Sequence, residues 1–236
     1  MHGKLYWLNF KKIKENNNNK MKYKAVLFDL DGTLLNTLKD IAISANTVLS
    51  NNGYPVHDIY SYKKFVGDGM ESLVRRILPE DQKDESVVQK CLKELSEIYS
   101  QGWYNRTGLY PGIKEMLTEL QRKKIRLSIF SNKPHEFTTA HVEYFLSEWK
   151  FEAVFGIKEG IPKKPDPYAA IEISKIMSIP PEEFIYVGDT NTDMKTAIGA
   201  GMLPVGVLWG FRDEKELTDS GAKIIINKPE ELLNLI

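Results

Sequence analysis

A chain of 236 residues, 42% of them hydrophobic, can hold one large domain, or a domain with an insert, around a real core. With 32 basic against 32 acidic residues the formal charge is zero, so no global basic field draws in nucleic acid or a membrane surface, and no apolar run approaches the ~20 residues of a bilayer span. The single cysteine, Cys91, excludes an intrachain disulfide and makes a reducing cytoplasm the natural expectation, while the four histidines show no zinc-type spacing.

The first twenty residues differ from the rest. Lys4 to Lys14 is basic and partly aromatic, Asn16 to Asn19 is a low-complexity run, and the apolar stretch Leu5 to Leu8 is too short for a secretory h-region. We expect residues 1–20 to be a disordered extension, with the fold beginning near Met21.

Ala25-Val26-Leu27-Phe28 reads as a buried strand of a parallel sheet and runs into Asp29-Leu30-Asp31-Gly32-Thr33-Leu34. Alternation sets Asp29 and Asp31 on one face and Leu30 on the other, and Gly32 permits a sharp turn. Adjacent acids repel, so one ionises reluctantly unless a cation joins them. The pair suggests a divalent metal, a nucleophile and a proton shuttle at one point. Taken alone, the hexapeptide also reads as a strand-end turn whose acids cap loops.

Residues 37–104 read as helices throughout. Apolar stripes recur at Ile41, Ala45, Val48 and Leu49, at Leu73, Val74, Ile77 and Leu78, and along Val87 to Tyr99, where Cys91 falls within the stripe as a core residue. Strands and helices alternate from Pro111. The pattern gives helix 113–123, strand 125–130, helix 135–147, strand 151–155, helix 167–177 with Asp166 as N-cap, and strand 184–187. Helix 193–200 follows, closed by Gly201, then strands 203–207 and 223–226 and a last helix 229–235. This predicts an α/β fold, a doubly wound parallel-sheet (Rossmann-like) core made by 21–36 and 105–236, with an inserted all-helical domain at 37–104.

Such sheets bind ligands beyond the carboxyl ends of their strands. Polar residues gather at those ends. After Asp29 and Asp31 come Ser131-Asn132-Lys133, a hydroxyl, an amide and a cation suited to phosphate oxygens. In Lys163-Lys164-Pro165-Asp166-Pro167 two prolines fix the loop that carries Lys164. Gly188-Asp189-Thr190-Asn191-Thr192-Asp193 follows a buried strand, with Asp193 near a helix start. Singly these read as caps and solvated loops; together they place four acids, two lysines and a hydroxyl at strand ends of one sheet. The donors are hard oxygens, which suits magnesium better than zinc.

On these four segments, in this order, the chain resembles the haloacid-dehalogenase-like hydrolase superfamily over residues 22–236, and the helical insert resembles that family's cap. Ser131-Asn132-Lys133, Phe65-Val66-Gly67-Asp68-Gly69 and Leu208-Trp209-Gly210-Phe211 resemble its phosphoglycolate-phosphatase group. Asn36 departs from the Asp that many relatives carry at the core–cap junction.

The resemblance implies a magnesium-dependent phosphatase. Asp29 would attack phosphorus and become an aspartyl-phosphate, and Asp31 would serve the leaving oxygen and then the attacking water. Mg2+ would be held by Asp29, the backbone carbonyl of Asp31 and Asp189, with Asp193 orienting from behind. Gly32, Thr33, Ser131, Asn132 and Lys133 would bind the substrate, with Lys164 balancing the negative charge. Lys63, Lys64 and the Val66-Gly67-Asp68 turn are candidates for reading the leaving group.

The expected partner is a small phosphorylated metabolite, 2-phosphoglycolate first, with neither nucleic acid nor membrane involved, and the chain acting as monomer or homodimer. A pyrophosphatase and a β-phosphoglucomutase-type phosphomutase stand as alternatives on the same scaffold. A non-catalytic phosphate-binding protein is disfavoured because Asp29, Asp31, Lys164 and Asp189 are all present.

Overall fold

The computed structural model describes residues 22–236, and the expected extension at 1–20 lies outside them. In chain order the elements are β1 (Ala25–Phe28), α1 (Leu38–Asn51), α2 (Tyr62–Phe65), α3 (Met70–Ile77), α4 (Glu85–Ser100), α5 (Ile113–Arg122), β2 (Arg126–Pro134) and α6 (His135–Phe145). Then come β3 (Phe151–Ile157), α7 (Tyr168–Ile176), β4 (Phe184–Gly188), α8 (Asn191–Ala200), β5 (Leu203–Val207), α9 (Glu214–Asp219) and β6 (Ile224–Ile226).

The six strands form one parallel sheet in the order β3-β2-β1-β4-β5-β6. The apolar runs are explained by burial on both faces. Val26 and Phe28 of β1, with Ile185 and Val187 of β4, pack into a cluster with Met116, Leu117 and Leu120 of α5. The alternate residues Ala25, Leu27, Phe184 and Tyr186 pack on Ala169 and Ile173 of α7 and Ala197 of α8. The chain crosses from the β1-β2-β3 half to the β4-β5-β6 half beside β1, so β1 and β4 border the switch point where such sheets form a crevice. Phe28 pairs with both Ile129 and Val187, so Asp29, Phe130 and Gly188 follow at one level across the three strands.

The insert between β1 and α5 is wholly helical, α1 to α4 with two short 3-10 turns at Ile59–Ser61 and Glu80–Gln82. The three predicted stripes meet as its core, with Phe137 of α6 and Phe211 packed against them. Its two connections to the sheet run side by side. Asn36 N donates to Gly108 O at 2.8 Å, and Asp40 accepts from Arg106 N at 2.8 Å and Thr107 Oγ1 at 2.9 Å.

Several expectations shift. The helix expected at 167–177 spans Tyr168–Ile176 with Pro167, not Asp166, at the N-cap position, and Asp166 accepts from Tyr168 N at 2.8 Å from one residue further out. The second strand does not stop at Phe130 but runs through Ser131-Asn132-Lys133 to Pro134, pairing with β3 across an irregularity between Phe130 and Pro134. Its polar end is buried, so hydrophobic patterning hides it. The helix after β4 starts at Asn191, two residues early, because Thr190 and Asp193 make a capping box. The last segment, Pro229–Leu235, winds as 3-10 turns, not as an α-helix.

Candidate active site

Three buried carboxylates, Asp29 after β1 and Asp189 and Asp193 around the end of β4, present oxygens that all lie within 4.8 Å of one another. Lys164 reaches into the cluster, 2.9 Å from Asp29 Oδ1 and 2.7 Å from Asp193 Oδ1, and donates to Phe130 O at 3.1 Å. Asn132 grips the peptide of that lysine from both sides. Its Oδ1 accepts from Lys164 N at 2.8 Å and its Nδ2 donates to Lys164 O at 3.2 Å. The prolines therefore share the task of holding Lys164 with an amide from β2. A further Asn132 Nδ2 bond, to Gly67 O at 3.0 Å, leaves that side chain engaged on every side as a brace.

Asp193 is saturated. Besides Lys164 it accepts from Thr190 N at 3.0 Å and from Thr190 Oγ1 at 2.6 Å. Asp189 accepts from Thr33 Oγ1 at 3.0 Å and Phe211 N at 2.8 Å. One ammonium cannot neutralise three carboxylates. Burial, and the charges of Asp193 and Asp189, outweigh Lys164 and hold Asp29 well above the usual carboxylate range. Burial and the Asp193 charge push Asp189 up to about 7. Lys164 is held charged, because Asp193 and Asp29 overcome the cost of its burial. The excess negative charge and the oxygen-only donor set fit a hard divalent cation.

Asp31 goes elsewhere. Its carboxylate leaves the triad and meets Lys133 Nζ, at 2.9 Å from one oxygen and 3.1 Å from the other. Burial raises its proton affinity, but the Lys133 charge wins and the carboxyl falls below its ordinary value. Two acids two positions apart thus have opposite surroundings while lining the same cavity. That cavity measures about 60 Å³. Its core wall carries Asp29, Asp31, Ser131 and Lys133, and its insert wall is apolar, including Ile41, Val66, Met70 and Leu73. Ser131 Oγ accepts from Lys133 N at 3.3 Å.

Gly32 takes φ +86°, and a Cβ there would lie 2.3 Å from Asp189 Oδ2. Only glycine lets this turn approach Asp189. Gly210 is as constrained, since its Cβ would lie 2.4 Å from Asp189 Cβ and 2.5 Å from Gly32 O. The loop around it also reaches the insert. Lys63 Nζ donates to Gly210 O at 3.0 Å, and Arg212 donates to the carbonyls of Lys63 and Val66.

Of the residues offered for the leaving group, Val66 and Gly67 line the cavity. Lys63 is spent on Gly210, Lys64 is exposed, and Asp68 pairs with Arg76. Sequence reasoning missed Tyr99 in the cavity wall and the bracing by Gly210 and Arg212. A stripe residue carries no local mark of such contacts, and Gly210 stood out only within the Leu208-Trp209-Gly210-Phe211 segment of the resemblance, with no role attached.

Residues 26–207 match the family model described as haloacid dehalogenase-like hydrolase. The phosphoglycolate phosphatase of Pseudomonas savastanoi pv. phaseolicola is 28% identical over 213 residues, which cover 89% of this chain and 78% of the relative. That of Vibrio parahaemolyticus is 28% identical over 218 residues, 90% of this chain and 96% of the relative. Among solved structures, a provisionally named phosphoglycolate phosphatase from Lactobacillus delbrueckii subsp. bulgaricus superposes with a TM-score of 0.85 at 29% identity, covering 90% of this chain and 97% of its own.

Proposed function

The chain belongs to the haloacid dehalogenase-like hydrolase family, and from that premise we propose that it is a magnesium-dependent phosphatase of small phosphomonoesters, 2-phosphoglycolate first among them. The observation that carries the reading is the pairing of a lysine-bridged acidic triad with a separate, lysine-paired carboxylate across one small cavity at the sheet's switch point.

Asp29 is the nucleophile. Leu30 N donates to its Oδ1 at 2.7 Å and Lys164 holds the same oxygen, so one oxygen is fixed and the other is left to attack phosphorus. A bond forms from that oxygen to phosphorus as the bond to the leaving oxygen breaks. Asp31 faces the leaving group. A phosphate dianion brought beside it competes for Lys133 and raises the carboxyl's proton affinity, favouring the form that donates to the leaving oxygen. With the alcohol gone, Lys133 again holds Asp31 ionised, the form that takes a proton from the water that cleaves the aspartyl-phosphate.

Lys164 offsets charge on Asp29 as the phosphoryl group transfers, and the Ser131 hydroxyl takes up a phosphoryl oxygen. Gly32 and Thr33, expected to bind the substrate, instead shape the turn: their N–H groups donate to Leu35 O at 2.9 Å and Leu30 O at 3.4 Å, and the Thr33 hydroxyl donates to Asp189. Asn132 serves mainly by fixing Lys164. Asp29, the Asp31 carbonyl and Asp189 would hold Mg2+, with Asp193 bracing Lys164 behind them; the ion would neutralise charge on the phosphate. The apolar wall from the helical cap excludes bulk water from the transfer.

The test is phosphate release from a panel of small phosphomonoesters and pyrophosphate, with magnesium and with EDTA. Metal-dependent release strongest on 2-phosphoglycolate is expected. A different best substrate would keep the mechanism and remove that substrate. Release from pyrophosphate alone would favour the pyrophosphatase alternative, and an aspartyl-phosphate that resists water until a sugar phosphate is added would favour the mutase.

A further inference from the structure

Tyr99, in the last turn of α4, carries the helical cap into the core beside Asp31. Its ring centre lies 4.8 Å from Lys133 Nζ, the ammonium that meets both oxygens of Asp31. The Tyr99 hydroxyl lies 3.2 Å from His141 Nε2, and His141 Nδ1 lies 2.6 Å from Phe137 O. A carbonyl only accepts, so Nδ1 carries the imidazole proton. Nε2 is then bare, and the Tyr99 hydroxyl donates to it. Both rings are buried, 3% and 0% exposed, and lie nearly parallel at 14°, with Phe137 edge-on to Tyr99 and Trp103 against His141. The tyrosine ring is thereby fixed in one orientation, its electron-rich face toward the ammonium.

We propose that Tyr99, seated by His141, is a positioning residue that holds Lys133 against Asp31, so that the carboxyl serving the leaving oxygen keeps its place and does so only with the cap's last helix docked on the core. This rests on the role given to Asp31 above. Lys133 has four carbons of free rotation, and an aspartate alone does not fix such a chain. The ring supplies a second, rigid contact from the opposite domain. Tyr99 and His141 have no other task in the reaction.

The decisive measurement compares kcat/KM for an alkyl phosphate, whose leaving oxygen needs a proton, with that for p-nitrophenyl phosphate, whose leaving group departs without one. Tyr99→Phe keeps the ring and removes its tie to His141. It should lower the alkyl value about tenfold more than the aryl value, because both substrates share the loss of Lys133 from the phosphate but only the alkyl one also needs the proton of Asp31. Tyr99→Leu should widen the gap further, and His141→Gln, which keeps a polar partner, should lie closer to wild type than His141→Leu.

A merely structural role would lower both values together, and equal losses on the two substrates would overturn the proposal. Nitrogen NMR of the wild-type chain provides a check without turnover, because a proton found on His141 Nε2 would reverse the hydrogen bond and remove the seat. Wild-type inactivity on both phosphates would remove the phosphatase reading itself. Wild-type turnover with an unselective Tyr99→Phe would remove this proposal alone.

Discussion

Lys164 is 2% exposed and lies between Asp29 and Asp193, so its charge has no route to water. Its replacement by methionine should cost at least three orders of magnitude in turnover and about 3–5 kcal/mol of stability, because two buried acids lose their shared cation. Urea unfolding and phosphate release measured together check this; a stable, active Lys164→Met would return the residue to an ordinary loop lysine. Gly210 gives a second residue-scale expectation. Gly210→Ala would press a methyl into Asp189 and the Gly32 carbonyl, so activity should fall more than tenfold and the magnesium required for half-activity should rise, as a metal titration would show. Asp29, Asp31, Lys164 and Asp189 were legible because acids and a lysine at strand ends are chemically conspicuous. Tyr99 was not, and Gly210 stood out only as part of a resembling segment without a role, since what defines both roles is a close approach between segments distant in sequence. The amide of Asn132 looked like a phosphate ligand and is instead committed to Lys164 and Gly67.

At the scale of elements, α6 carries a built-in acid sensitivity. Burial first, and then the nearby Lys133 charge, lower the His141 pKa from 6.5 to about 3. The unfolded chain binds a proton there as pH falls through about 6.5, while the folded chain resists until about 3. The stabilisation is therefore complete above pH 6.5 and is lost going down, at up to about 1.4 kcal/mol per pH unit. His141→Phe should flatten this acid limb, and denaturant midpoints at pH 7 and pH 5 would reveal it; identical pH slopes in both chains would contradict the assignment. The periodic elements were readable because strands buried on both faces give continuous apolar runs and the cap helices give one stripe each. The extension of β2 through Ser131-Asn132-Lys133 was hidden because these are polar residues buried for the site's sake. The early start of α8 depends on a capping box formed by Thr190 and Asp193, while the same Asp193 also serves Lys164.

Over the whole molecule, the sheet order puts β1 and β4 at the switch point and the cap closes over it. The loop following β5 joins these layers. Phe211 N holds Asp189 from below while Arg212 and Lys63 exchange bonds with the cap and with Gly210. Arg212→Ala should loosen the cap without unfolding the sheet, raising amide exchange around Lys63 to Val66 and KM by several-fold, with the exchange of β1 and β4 unchanged. The core-plus-insert plan was legible from the switch between helical periodicity and alternating strands, but the contacts that lock the two parts together belong to no motif. In the proposed mechanism Asp29 carries the phosphoryl group. Acid-quenching the enzyme during turnover of its best phosphomonoester, then locating the added phosphoryl group by peptide mass, tests it directly. Phosphate is expected on the peptide containing Asp29, and in Asp29→Asn neither adduct nor turnover despite a normal fold; phosphate on another residue, or sustained turnover by Asp29→Asn, would remove Asp29 as the nucleophile.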